Sequence, residues 1–87
     1  MNNRELRELL EKLRGEMEKT PSIDARDREL LRSLDADIHK LIERSEETSH
    51  ETVVDRLQEA IEQMEVSHPD LTSTLSQLLT ILSNAGI

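Results

Sequence analysis

Apolar residues recur at intervals of three and four along most of the chain, in four runs separated by residues that favour turns and helix caps. The first run is Leu6, Leu9, Leu10, Leu13 and Met17, a single stripe at the period of an α-helix. Asn2 or Asn3 supplies an N-cap. Glu5 stands three residues after Asn2, where its carboxylate reaches back to the cap, and Glu8 with Lys12 makes an i,i+4 pair on the wet side. Gly15 interrupts the stripe's polar face and has two readings, a close approach of another helix or a tolerated surface glycine. Thr20-Pro21-Ser22 closes the run, because proline disfavours helical geometry in the residue before it. The predicted helix covers 3–19.

Asp24 is the natural cap of a second helix over 25–44, with Leu30, Leu31, Leu34, Ile38, Leu41 and Ile42 on one face. No apolar residue occurs from Glu43 to Thr52, and Thr48 followed by Glu51 fits a capping box, so a third helix starts near Ser49 and runs to 66. Its apolar positions are Val53, Val54, Leu57, Ala60, Ile61 and Met64. A second reading stays open: Ile42 and Val53 are eleven residues apart, close to three helical turns, so one continuous helix keeps both stripes in phase. Ser67-His68-Pro69-Asp70 reads as a restart with serine as cap, proline in the first turn and Asp70 near the positive helix end. The fourth helix covers 68–84, with Gly86 available as a left-handed cap. The predicted class is all-α, a three- or four-helix antiparallel bundle or coiled-coil-like assembly in one domain, 1–87.

The last helix differs from the others in what surrounds its stripe. Leu71, Leu75, Leu78 and Leu82 alternate four and three residues apart, and after Asp70 no charged side chain follows. An ordinary amphipathic surface helix shows charges to water, whereas this one offers Thr, Ser, Gln and Asn. These four leucines are the expected self-association residues, and the uncharged face is a second surface to be covered.

Composition strengthens that expectation. The chain has 87 residues and no Phe, Tyr, Trp or Cys, so its core is aliphatic and small. A homo-oligomer, dimer or higher, is the expected remedy. Absence of cysteine removes disulfides, thiolate metal sites and cysteine nucleophiles. The N-terminal MNNRELREL lacks the pattern of a secretory signal, and no apolar run reaches the length of a membrane span, which predicts a cytoplasmic protein with no membrane partner.

Charge is concentrated in one segment. Residues 1–19 carry five basic and five acidic groups, and residues 24–44 carry five and six. Residues 46–70 set Arg56 against eight carboxylates and so contribute seven of the eight net negative charges. Such a field repels phosphate backbones, and no aromatic side chain is present to stack on bases, so nucleic acid is not an expected partner. Glu51, Asp55, Glu59 and Glu62 form an acidic line suited to a basic protein, where electrostatics sets encounter rate and orientation.

Candidate chemistry is sparse. Glu47 and His50 have the Glu-x-x-His spacing of di-iron bundles, Asp35, His39 and Glu43 line up four apart, and His68 sits at the predicted corner. Spacing without convergent inward ligands carries little weight, so no metal residues are assigned. There is no phosphate loop and no nucleophile elbow, and neither an enzyme activity nor a cofactor is expected.

The segments RELRELLEKLRGEMEKT, RDRELLRSLDADIHKLIERSEE and VVDRLQEAIEQMEVSHPDLTSTLSQLLTILSNAGI resemble a small bacterial family of unknown function, DUF4404, over nearly the whole chain. The resemblance is most distinctive in the EVSHPDLTSTL corner and the NAGI ending. It implies a bacterial, all-helical, intracellular protein and brings no functional residues. The leading expectation is a self-associating structural or interaction module. An acidic adaptor or chaperone for a basic partner, and a metal-binding helical bundle, are the alternatives.

Overall fold

The computed structural model describes residues 3–44 and 48–85, with the side chain of Ala85 left aside. It contains four helices in this order: α1 (Asn3–Glu18), α2 (Ala25–Ile42), α3 (His50–Met64) and α4 (Pro69–Ala85). The predicted spans agree to within two residues at each end. The readings placed on Asn2, Glu47 and Gly86 lie outside the described residues.

Local chemistry explains most of these boundaries. Asp24 caps α2 by accepting the Asp27 backbone N–H at 2.8 Å. Pro21 follows α1's last turn, where Thr20 Oγ1 donates back to the Glu16 carbonyl at 2.7 Å. Ile23 then drops into the core at 5% exposure and pins this loop, an anchor that periodicity could not reveal because the residue is not helical.

The second and third helices are separate, which settles the reading of one continuous helix against it. α2 ends at Ile42, and Arg44 follows in the left-handed region at φ 59°, its N–H donating to the Leu41 carbonyl at 3.1 Å. That is the αL closure of a helix end, made here by arginine instead of the usual glycine. α3 restarts at a Ser49 cap, whose hydroxyl accepts the Thr52 N–H at 3.1 Å. The capping pair expected at Thr48 and Glu51 is therefore displaced by one residue. The α4 cap is also corrected: Ser67 is exposed in the corner, and the helix begins at Pro69. Proline fits there because its missing N–H is at a position that lacks an intrahelical acceptor anyway.

Tertiary contacts arrange the helices in a ring, α1 beside α2, α2 beside α3, α3 beside α4, and α4 back beside α1, with neighbours antiparallel. Side-chain pairs mark each seam: Arg14 to Asp35 between α1 and α2, Arg56 to Asp37 between α2 and α3, His50 to the Leu82 carbonyl between α3 and α4, and Thr74 to Glu16 between α4 and α1. The result is an up-down-up-down four-helix bundle with extents of 34 × 21 × 21 Å. α3 and α4 are the most extensively packed pair, and α1 and α2 the least.

The leucines of α4 go to the middle of this bundle. Leu71 is 1% exposed, and Leu75, Leu78 and Leu82 are 0% exposed, packed with Leu6, Leu13, Leu34, Ile38, Leu57 and Met64 in a single aliphatic core. A single chain thus already takes these four side chains, the expected self-association residues, out of water. The physical reason is that three other stripes of the same chain meet them.

Candidate docking face

The ring geometry turns each helix's flanks into seams, and the paired residues identify which flank faces which neighbour. On α3, Arg56 reaches α2, where its Nη1 donates to Asp37 Oδ2, a carboxylate that is itself only 8% exposed. The opposite flank carries His50, Val54 and Ile61, spaced four and seven residues apart, and His50 Nε2 donates to the Leu82 carbonyl of α4 at 2.5 Å. Val54 and Ile61 therefore lie along the α3–α4 seam. On α4, Thr74 faces α1 through its 2.5 Å hydrogen bond to Glu16 Oε1, so Leu79 and Thr72, on the other flank, line the same α3–α4 seam.

Val54, Ile61 and Leu79 pack against the core and remain half-buried, forming an aliphatic strip that water still touches. Val66, at the α3–α4 corner, is 91% exposed. It is the large apolar side chain that stands fully in water among the described residues. Helical spacing sets Glu51, Gln58 and Glu65 along the α3 edge of this strip, all exposed. Asp55 sits on the outer crest of α3, and Glu59 is turned toward α2. The expected acidic line is thus exposed as a whole: Glu51 borders the seam, Glu65 joins it, and Glu62 shares the outer crest with Asp55. Sequence periodicity missed Glu65 and the strip because Val54 and Ile61 read there as part of the core stripe.

The other edge of the strip has no charge. Ser73, Ser76, Gln77, Thr80, Ser83 and Asn84 form the exposed outer face of α4, while Thr72 and Thr74 are buried at 7% and 1%. Thr72 Oγ1 donates to the Pro69 carbonyl at 2.9 Å, and Thr80 Oγ1 to that of Ser76 at 3.0 Å, so these two hydroxyls are satisfied within their own helix. Arg56 is the one basic residue of α3 and α4, and its pairing with Asp37 directs its charge away from the acidic edge.

The three histidines are separated by the same geometry. His39 lies on the α1 side of α2, with Nδ1 donating to the Asp35 carbonyl at 2.8 Å. His50 ties α3 to the end of α4. His68 lies at the α3–α4 corner, at the opposite end of the bundle, with its backbone N–H on the Met64 carbonyl at 2.8 Å. Among the described residues no group of three or more His, Asp or Glu side chains is gathered to hold a metal ion. None of the described helices is long and apolar enough to cross a membrane.

An all-α bundle with an aliphatic core and a half-apolar α3–α4 seam defines the class of protein: a small four-helix-bundle domain. Residues 6–87 match the family described as Domain of unknown function (DUF4404), and the chain belongs to that family. No curated protein and no solved structure matches the chain.

Proposed function

We propose that this domain is a protein-interaction module whose α3–α4 face takes a basic, amphipathic helix of another protein. The observation that carries the reading is the half-exposed strip Val54, Ile61 and Leu79 beside Glu51 and Glu65, with Glu62 on the adjoining crest and Arg56, the one Lys or Arg of α3 and α4, turned to Asp37 of α2. An apolar stripe laid in the groove gains burial, and lysines or arginines on the partner's edge meet the carboxylates. Electrostatics speeds encounter and fixes which way round the helix lies. Full burial of an aliphatic side chain is worth about 1.5–3 kcal/mol, and these three are already partly buried, so the apolar gain is a few kcal/mol. Association costs on the order of 4–15 kcal/mol, which makes the complex weak, transient and salt-sensitive.

A second copy is a poor occupant of that seam, because Glu51 and Glu65 would meet like charges. The exposed α4 face favours a second reading in a different place. Ser73, Ser76, Gln77, Thr80 and Ser83 present no charge, so two copies of a chain with net charge −8 approach there with least repulsion. Light scattering that returns twice the 10.0 kDa chain mass supports this association, and the bare chain mass removes it.

The docking reading is tested with a synthetic leucine-striped helix edged with lysine, titrated into labelled protein and followed by amide NMR. Saturable shifts confined to α3 and α4 around Val54, Ile61 and Leu79, weakened by salt and absent with a glutamate-edged peptide, are expected. Shifts centred on α1 and α2 would overturn it.

A further inference from the structure

The least-packed seam, between α1 and α2, lies across the ring from the docking face and has a different character. It opens into a cleft of about 240 Å³ lined by Leu13, Arg14, Met17, Glu18, Arg28, Arg32 and Asp35. Three arginines against two carboxylates give this lining a positive balance on a protein whose net charge is −8. The arginines are not equivalent. Arg14 Nη2 donates to Asp35 Oδ2 at 2.9 Å, and that bond together with the attraction of the carboxylate raises the Arg14 pKa, so its charge is already answered. Arg28 gives one long hydrogen bond of 3.4 Å to the Thr20 carbonyl. Arg32 makes no hydrogen bond or ion pair with any described residue. Arg28 and Arg32 are four residues apart on α2, one turn above the other, so both line the same side of the cleft. Leu13, Met17 and the methylene stems of the arginines supply the apolar part of the lining, and Glu18 adds an exposed carboxylate at its edge.

We propose that this cleft binds a small amphiphilic carboxylate, with its head group on Arg28 and Arg32 and its short apolar body against Met17. Arg28 and Arg32 are the cleft's two guanidinium groups with no carboxylate partner among the described residues, and a guanidinium fork matches a planar carboxylate. Size decides the rest: drug-sized ligands occupy about 300–1,000 Å³, so this smaller cleft takes a short-chain acid and not a long lipid.

The test uses hexanoate, hexanol and inorganic phosphate as probes in parallel amide NMR titrations of the full chain. Hexanoate is expected to give saturable shifts at Met17, Arg28 and Arg32, with hexanol and phosphate each binding about tenfold more weakly. The Arg28→Gln/Arg32→Gln variant, checked for unchanged helicity by circular dichroism, should weaken hexanoate about tenfold, and Arg26→Gln, outside the cleft, should leave it unchanged. Shifts that do not saturate, equal affinity for phosphate alone, or equal loss in the Arg26→Gln variant would each overturn the proposal.

Discussion

At two positions the residue present is the one the backbone would exchange. Gly15 lies inside α1, where glycine costs about 1 kcal/mol relative to alanine, and a methyl group added there meets nothing within 4 Å. The absence of a close neighbour decides between its two sequence readings in favour of a tolerated glycine. Gly15→Ala is therefore expected to raise the melting temperature by about 4–8 °C, measured by circular dichroism. Arg44 is the converse, an L side chain at φ 59°, a conformation that costs non-glycine residues about 1–2 kcal/mol. Part of that is offset by glycine's greater freedom in the unfolded chain, so Arg44→Gly should stabilise by about 0.5–1 kcal/mol in chemical denaturation. Asp37 and Arg56 make a third case, because one partner is buried and the other is half in water. Removing Arg56 strands a carboxylate at 8% exposure, so Arg56→Leu should cost about 1–3 kcal/mol, most of it recovered in Asp37→Leu/Arg56→Leu. Additive losses in the double variant would contradict that account.

Among the elements, α4 depends most on its neighbours. Its last carbonyls have no intrahelical donors, and His50, from the first turn of α3, supplies one to Leu82. His50→Ala should destabilise the fold by about 1 kcal/mol and speed hydrogen exchange in the final turn of α4 before the rest of the helix. Uniform loss of protection would mean that the bond does not act as a cap. The existence, order and approximate ends of the four helices were legible in the sequence, because the cap at Asp24, the polar gap from Glu43 to Thr52, breaks at Pro21 and Pro69 and the three-and-four spacing all act locally. The edges of each stripe were not. Val54, Leu57 and Ile61 belong to one apolar run, yet Leu57 is fully buried while Val54 and Ile61 remain half-exposed at a seam. Periodicity finds the centre of a stripe, and only the neighbouring helix decides how far round it burial extends. Pairs such as Thr74 with Glu16, 58 residues apart, carry no local signal.

For the whole molecule, the ring order gives the bundle two unlike faces. The α1–α2 side is nearly balanced in charge and opens into an arginine-lined cleft, whereas the α3–α4 side joins carboxylates to an aliphatic strip and an uncharged helix face. The absence of charge from α4 after Asp70 was visible in the sequence, but its leucines are the means by which one chain closes its own core. What remains for a partner is the outer half of the helix and the seam beside it. This changes the interaction expected of α4 from a leucine-mediated contact to one led by Val54, Ile61 and Leu79. The claim is most directly tested by the affinity of the lysine-edged helical peptide for Ile61→Gln/Leu79→Gln, measured by calorimetry against the unsubstituted protein. These substitutions leave the net charge at −8, so simple attraction between opposite charges is unchanged. The account predicts about tenfold weaker binding, the loss expected from two side chains that have part of their area left to bury. Equal affinity for the two proteins would contradict it.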